Sequence, residues 1–170
     1  MVLDNIECLK QGQTLIDSID DRQYVSSESR LFKLGGIGKH FRHIVDFYSS
    51  FLRANGDVID YECRARDTLI ETDARRAKQK ISEIIETLET DPQFLRDLDT
   101  AVSVAATESS SYSETARAVS SLGRELQFLI SHTTHHYAII AMILRELGAE
   151  PPADFGVAPS TLRYLQSQKA

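Results

Sequence analysis

The sequence contains few cysteines, and the two that occur, Cys8 and Cys63, lie far apart along the chain. They form neither a CxxC pair nor the spaced set that marks a disulfide framework. This arrangement excludes the small secreted domains that disulfides hold together. We therefore expect a reducing compartment, the cytosol, for this protein.

Long apolar runs are also absent. The longest, Tyr137–Leu144, is much shorter than the ~20 residues that a helix needs to cross a bilayer. The beginning of the chain, Met1–Asp4, lacks the basic residues and apolar stretch of a signal peptide. We expect neither a signal peptide nor an association with a membrane.

The chain has no excess of positive charge. It carries 19 Lys and Arg against 25 Asp and Glu, which gives a formal net charge of −6. Proteins that bind nucleic acids need basic residues to neutralise phosphates, so we expect no nucleic-acid partner. The apolar fraction of 42% is enough for a buried core, and we expect a single domain over residues 1–170.

Most prolines and glycines lie between long segments with helical periodicity. In four of these segments apolar residues recur at steps of three and four, as on one face of a helix. The spacing predicts long helices at Val2–Ile19, Ile37–Ala54, Ala74–Glu89 and Ser120–Leu147, and a short one at Ser160–Gln166. Asp73 can cap the start of the third long helix. The stop signals for the second, third and last long helices are Asn55–Gly56, Asp91–Pro92 and Gly148, respectively.

The segments between these helices are of two kinds. Asp20–Arg30 is a polar break, and the charged segment Asp57–Thr72 indicates an ordered, non-helical crossover. Thr100–Ala106 and Ala116–Val119 are candidate strands on either side of serine-rich Thr107–Glu114, which predicts a small hairpin. The predicted fold is thus all-α: a four-helix bundle with one long crossover, and a small β-hairpin before the last long helix.

All five histidines fall on two of the predicted helices. His40 and His43 lie on the second long helix, and His132, His135 and His136 lie on the last. At ~100° per residue, His132 and His136 face the apolar stripe and His135 lies at its edge. Side chains at i and i+4 are neighbours, so this pair can share one ion. The zinc motif HExxH uses the same spacing, although its glutamate is absent here.

A histidine pair on one helix is often structural, because a metal site needs at least a third ligand. The second helix offers two candidates. His40 lies about 55° from the centre of its apolar stripe and His43 about 115°, so periodicity favours His40. Glu125, one heptad before His132, is a candidate acceptor for an imidazole N–H.

The segments Ile37–Asp46 and Ser131–Ala138 resemble the DinB/YfiT-like superfamily of metal-binding four-helix bundles. That family carries one histidine on its second helix, followed by an apolar residue and an aspartate, and a His-x-x-x-His pair on its last helix. The resemblance maps the first histidine to His43 and the pair to His132 and His136. It therefore implies a metal site formed by these three, with His40 in place of His43, or His135 as an added ligand, as alternatives.

Three neutral imidazoles leave at least one coordination position open on a zinc-like ion. Zinc and nickel suit imidazole ligands best, and iron or manganese are also compatible. Such an ion lowers the pKa of bound water towards ~7 and deprotonates a bound thiol. We therefore expect a metal-dependent hydrolase or, as the resemblance implies, a transferase that uses a low-molecular-weight thiol and acts on a small molecule. The alternatives are a non-catalytic metal-binding stress or interaction protein, and a helical protein whose histidines are structural.

The predicted crossover contains two arginines. Arg64 and Arg66 could clamp a carboxylate or phosphate of a ligand. Internal ion pairs are the interpretation that we favour, with the nearby carboxylates of Asp60, Glu62 and Asp67.

Cys63, between these residues, is either a reactive thiol or a small packing residue. The family resemblance also suggests a homodimer. The aromatic content of the second helix supports it, because aromatic residues are enriched at interfaces. These residues are Phe41, Phe47, Tyr48 and Phe51.

Overall fold

The computed structural model describes residues 1–26, 35–54, 58–106 and 116–168. The described residues are mostly helical, with a small sheet of three strands. They contain eight helices: α1 (Val2–Ser18), α2 (Asp21–Val25), α3 (Ile37–Arg53), α4 (Leu69–Thr72), α5 (Ala74–Thr90), α6 (Pro92–Arg96), α7 (Leu122–Glu146) and α8 (Pro159–Ser167). The strands are β1 (Val58–Ile59), β2 (Ala101–Ala106) and β3 (Ala116–Ser121).

The four long helices predicted from periodicity are present as α1, α3, α5 and α7, and the short C-terminal one as α8. Their ends also follow the predicted signals. The Asp73 side chain accepts hydrogen bonds from the backbone N–H groups of Arg75 and Arg76 and so caps α5. At the end of α7, Gly148 has a φ of 78°, and the N–H groups of Gly148 and Ala149 bond back to the carbonyls of Arg145 and Leu144. This is a Schellman motif, which needs a residue in the left-handed region.

Three short helices correct the prediction. α2 lies in the segment expected to be a polar break, α4 lies in the crossover expected to be non-helical, and α6 follows directly on α5. Each spans about one turn, which is too short to produce a periodic apolar stripe. Local caps start two of them: Asp20 and Gln23 form a capping box at α2, and Asp91 caps α6 with Pro92 in its first turn.

The two predicted strands are confirmed as β2 and β3. They pair antiparallel, from Ala101 opposite Ser121 to Ala106 opposite Ala116. β1, which was not predicted, adds a parallel strand on the other side of β2. The serine-rich segment 107–114, the helix stop at 55–56 and the second part of the polar break fall outside the described residues.

The four long helices surround the core. α1 and α3 each contact both α5 and α7, and every one of the four contributes fully buried apolar side chains. Three aromatic residues of α3, Phe41, Tyr48 and Phe51, are buried within the chain. They therefore form core and not a surface for a second subunit.

The first turn of α3 lies unusually close to α4. A Cβ on Gly38 would lie 2.0 Å from the carbonyl oxygen of Glu71, so glycine is required for this approach. The contact sets the position of α3 just before His40 and His43. Within the described residues, no helix combines the length and the apolar character that a bilayer crossing requires.

Candidate metal centre

Three imidazoles from two helices converge at one point. The Nε2 atom of His43, on α3, lies 3.2 Å from Nε2 of His132, and the latter lies 2.9 Å from Nε2 of His136, both on α7. All three ligand atoms lie within 4.8 Å of one another. Two nitrogens bound tetrahedrally to zinc are about 3.3 Å apart, given a Zn–N distance of about 2.0–2.1 Å. The group can therefore hold a metal ion with little rearrangement.

Aromatic side chains pack around one side of this group. The ring of Phe47 contacts His132 edge-on, with centroids 4.2 Å apart, and the ring of Phe128 stacks on His132 at 5.5 Å. Tyr61, from the crossover, stacks on Phe47 at 5.2 Å. Sequence reasoning did not assign these residues to the site. The helical spacing contained a signal, because Phe47 follows His43 by four residues and Phe128 precedes His132 by four.

His40 lies behind His136 and not in the group of three. Its Nδ1 atom is 2.9 Å from Nδ1 of His136, which is the ring nitrogen that points away from the convergence point. A histidine that binds a metal through Nε2 carries its proton on Nδ1 and needs an acceptor there. His40 can be that acceptor. The apolar stripe of α3 thus indicated His40, which contacts the group of three, whereas the family pattern indicated His43, which is a member of it.

His135 is exposed, and its ring contacts that of His136 with centroids 5.3 Å apart. It does not belong to the group of three whose ligand atoms converge. The pair spaced i, i+4 on α7 is thus the one that faces α3, as the apolar stripe of α7 predicted.

Arg64 contacts the group from the crossover. Its Nη1 atom lies 3.2 Å from Nδ1 of His43, and its guanidinium lies over the Phe47 ring, 5.0 Å from the centroid. Arg66 is exposed, with a φ of 50°, and its backbone N–H donates to Asp46. The two arginines of the crossover therefore do not form one clamp.

The ion pairs that we favoured for these arginines are not formed among the described residues. Asp60 accepts hydrogen bonds from the backbone N–H groups of Glu62 and Cys63, and Asp67 pairs with Arg76 of α5. The carboxylates of Asp60 and Asp67 are therefore engaged by the backbone of the crossover and by α5, and they form no ion pair with Arg64 or Arg66. Cys63 is exposed, so it is not a packing residue.

The predicted contact between Glu125 and a histidine is wrong. Glu125 is buried, and its two carboxylate oxygens accept hydrogen bonds from the hydroxyls of Tyr61 and Ser120. Because its position one heptad before His132 lies two turns away along α7, the crossover and β3 reach it first. Its role is to hold Tyr61 against the aromatic residues of the site.

The histidines of the site are neutral near pH 7. Burial, as the largest cause, lowers the pKa of His40, His43 and His132 from 6.5 to about 4, and that of His136 to about 3. Neighbouring positive charge, including Arg64 beside His43, lowers the pKa values in the same direction. Neutral imidazoles keep a lone pair free for a metal ion.

The sequence was also compared with known proteins. The sequence model of the DinB family matches residues 6–163. The chain is also similar to a protein of Rhizopus delemar called FK506-binding protein 5, with 40% identity over 111 residues. That match covers 65% of this chain but 28% of the relative, so the chain corresponds to a minor part of the longer protein. No solved structure matches the chain.

Proposed function

This chain belongs to the DinB family, and from that membership and its histidine group we propose that it binds one divalent metal ion through His43, His132 and His136. The observation that carries the proposal is the convergence of three imidazoles from two helices, with Nε2 of His132 close to Nε2 of both His43 and His136. Zinc and nickel are the metals that suit the three nitrogens best, with iron and manganese next. We propose that the four long helices act as a four-helix bundle that holds these side chains in place.

We further propose that the bound ion makes the protein an enzyme that acts on a small molecule. An ion held by three imidazoles has an open position, at which it lowers the pKa of bound water or of a thiol. His40 accepts the Nδ1 proton of His136, which directs the Nε2 lone pair of His136 to the centre of the group. Phe47 and Phe128 cover His132 and keep water from that side.

Among the two chemistries, thiol transfer fits the site better than hydrolysis. Metal-assisted hydrolysis commonly uses a carboxylate as general base, as in HExxH enzymes. Of the described carboxylates near the site, Asp46 is bonded to Arg42 and to the Arg66 backbone, and Glu125 is bonded to hydroxyl groups. Transfer from a metal-bound thiolate needs no such base. The alternative function is a non-catalytic metal-binding protein, which the same absence of a base would suit.

Several other properties of the protein remain predictions. These are a cytosolic location, the homodimer and the absence of nucleic-acid and membrane partners. The buried positions of Phe41, Tyr48 and Phe51 weaken the support that the aromatic content of α3 gave to the dimer, and the family resemblance remains its main basis.

The test of metal binding is element analysis of protein purified without a nickel column and then exposed to zinc. We expect one zinc per chain in the wild type and none in His136→Ala. The control is His135→Ala, which removes the adjacent, exposed histidine and should retain zinc. A wild type that binds no zinc, nickel, iron or manganese contradicts the proposal. Retention of stoichiometric zinc by His136→Ala contradicts the ligand set.

For the activity, zinc-loaded protein is screened for transfer of low-molecular-weight thiols to electrophiles and for hydrolysis of esters and amides. We expect thiol transfer by the wild type and its loss in His136→Ala. A zinc-loaded protein that catalyses neither reaction would favour the non-catalytic alternative.

A further inference from the structure

Two arginines flank the histidine group, and they differ in what balances their charge. Arg42 forms ion pairs with Glu71 at 2.6 Å and with Asp46 at 3.3 Å. Arg64 forms no ion pair with the described residues, and its Nε atom is buried without a hydrogen-bond partner among them. Nε of Arg42 also lacks a hydrogen bond of good geometry, but it lies 2.6 Å from the carboxylate of Glu71. A half-buried cation with an unpartnered donor is unfavourable unless something else completes it.

The partner that Arg64 does have is one that metal binding takes away. Its Nη1 atom lies 3.2 Å from Nδ1 of His43, and a guanidinium can only donate. Nδ1 of His43 must therefore be the acceptor, which places the proton of the neutral ring on Nε2. A metal ion on Nε2 moves that proton to Nδ1, where it opposes the N–H of Arg64.

His40 behaves differently towards His136. An imidazole can donate or accept at either nitrogen, so His40 can change its own tautomer when the proton of His136 moves to Nδ1. Arg64 has no such freedom, because arginine stays protonated in proteins. Metal binding thus leaves the His40 contact intact and breaks the Arg64 contact.

Among the described residues, the carboxylates near Arg64 are already engaged. Asp46, the acidic residue whose charge interacts with Arg64, already accepts from Arg42 and from the Arg66 backbone. Glu125 accepts from Tyr61 and Ser120. Three neutral imidazoles contribute no negative charge, so a divalent ion and Arg64 together form a strongly positive site.

We propose that Arg64 binds the carboxylate of a small-molecule ligand that occupies the site together with the metal ion. The planar fork of a guanidinium matches a carboxylate with two parallel hydrogen bonds, a geometry that a phosphate also offers. Phe47 lies under the guanidinium, with its ring centroid 5.0 Å from the central carbon, and so keeps Arg64 close to the metal position. The inference rests on the proposed metal site and adds the class of ligand that this site accepts.

The arrangement also couples the two ligands. A carboxylate that holds Arg64 away from His43 favours the tautomer that binds metal, so each ligand increases the affinity for the other. Without a carboxylate, Arg64 opposes metal binding. A variant without the guanidinium should then bind metal at least as tightly as the wild type, although it lacks a side chain of the site.

The test uses Co²⁺ as the probe metal, because its visible absorption reports ligands that enter or adjoin the coordination sphere. Co²⁺-loaded protein is titrated with sodium acetate at constant ionic strength, and with acetamide as the neutral analogue. We expect a saturable spectral change with acetate and none with acetamide. In Arg64→Met the acetate affinity should fall about tenfold or more, the usual effect of losing a hydrogen bond to a charged group.

Two further variants separate charge from geometry. Arg66→Met makes the same change at the exposed arginine of the same segment and should bind acetate like the wild type. Arg64→Lys keeps the charge without the fork, and we expect an intermediate affinity. Acetate should also increase the Co²⁺ affinity of the wild type, measured by chelator competition, and not that of Arg64→Met.

The outcomes distinguish the inference from the proposed function. A wild type that binds no Co²⁺ overturns both. A wild type that binds Co²⁺, with equal acetate affinity in Arg64→Met, overturns the role of Arg64 alone. A spectral change that acetamide reproduces also overturns it, since charge would then play no part. Circular dichroism of each variant establishes that the comparison is between folded proteins.

Discussion

Two polar clusters lie between the long helices, and they differ in whether their hydrogen bonds are complete. In one, the fully buried Asn5 donates to the carbonyls of Met1 and Leu126 and accepts from the Tyr48 hydroxyl at 2.6 Å. In the other, Nε2 of His132 lies within hydrogen-bond distance of Nε2 of both His43 and His136. An imidazole nitrogen has one lone pair, so it cannot accept well from two N–H groups at once.

The difference separates a structural cluster from a binding site. Buried polar groups are tolerated when they are hydrogen-bonded, and the Asn5 cluster meets this condition while it ties α1, α3 and α7 together. The histidine cluster is only half-buried and is left with competing contacts that an ion would resolve. We therefore expect substitutions in the first cluster to change stability, and substitutions in the second to change metal binding.

The largest effect on stability is expected for Asn5→Ala. The substitution removes the acceptor of the Tyr48 hydroxyl, which keeps its contact with Thr133, and opens a small cavity, so the free energy of unfolding should fall by about 2–4 kcal/mol. Urea unfolding of the metal-free protein measures it. The control is Gln13→Ala, on the same helix, whose contacts to α5 include an exposed hydrogen bond to Ser82 and whose effect should stay within about 0.5 kcal/mol. The distinction between the two clusters would be wrong if Asn5→Ala reduced the free energy of zinc binding by more than it reduced the free energy of unfolding.

The opposite pattern is expected for His40→Ala. Loss of the acceptor behind His136 should lower zinc affinity by about 10–100-fold, the usual effect of removing the partner of a ligating histidine. The free energy of unfolding of the metal-free protein should change little, because His40 is only partly buried. Competition with a chromophoric chelator measures the affinity, and His135→Ala, whose zinc affinity should equal that of the wild type, is the control. Unchanged zinc affinity in His40→Ala would mean that the contact with His136 has no effect on the site.

A more gradual effect is expected from pH. Burial lowers the pKa of His40, His43 and His132 in the folded protein from 6.5 to about 4. The unfolded chain therefore takes up protons first as the pH falls, and the metal-free protein should lose stability between pH 6.5 and about 4. Bound zinc should be lost in the lower pH range too, because protons compete for the same nitrogens.

Melting temperatures of the metal-free protein at several pH values between 7.5 and 4 test this. Asn5→Ala should lower the whole curve without changing its shape, whereas His43→Phe should make the decrease less steep, because one of the buried histidines is removed. A wild-type curve that is level down to pH 5 would show that the histidines are not buried in the neutral form.

The parts of the fold and of the site that the sequence predicted depend on residues close together in the chain. Apolar spacing placed the four long helices, and Asp73 and Gly148 marked two of their ends, because helix geometry and capping depend on residues a few positions apart. The spacing of His132 and His136 likewise places both on one face of α7 wherever that helix packs. The short helices α2, α4 and α6 and strand β1 were missed, since a single turn or a two-residue strand produces no periodicity.

The choice between His40 and His43 could not be made from the periodicity of one helix. Both lie on the side of α3 that turns towards α7, and the rotation of α3 depends on how its first turn packs against α4 at Gly38. The position of Arg64 against His43 and the bond of Glu125 to Tyr61 join residues that are distant in the sequence. Contacts of this kind arise from the packing of whole elements. The residues that can bind a metal were therefore visible in the chain, whereas their partners followed from how the helices and the crossover come together.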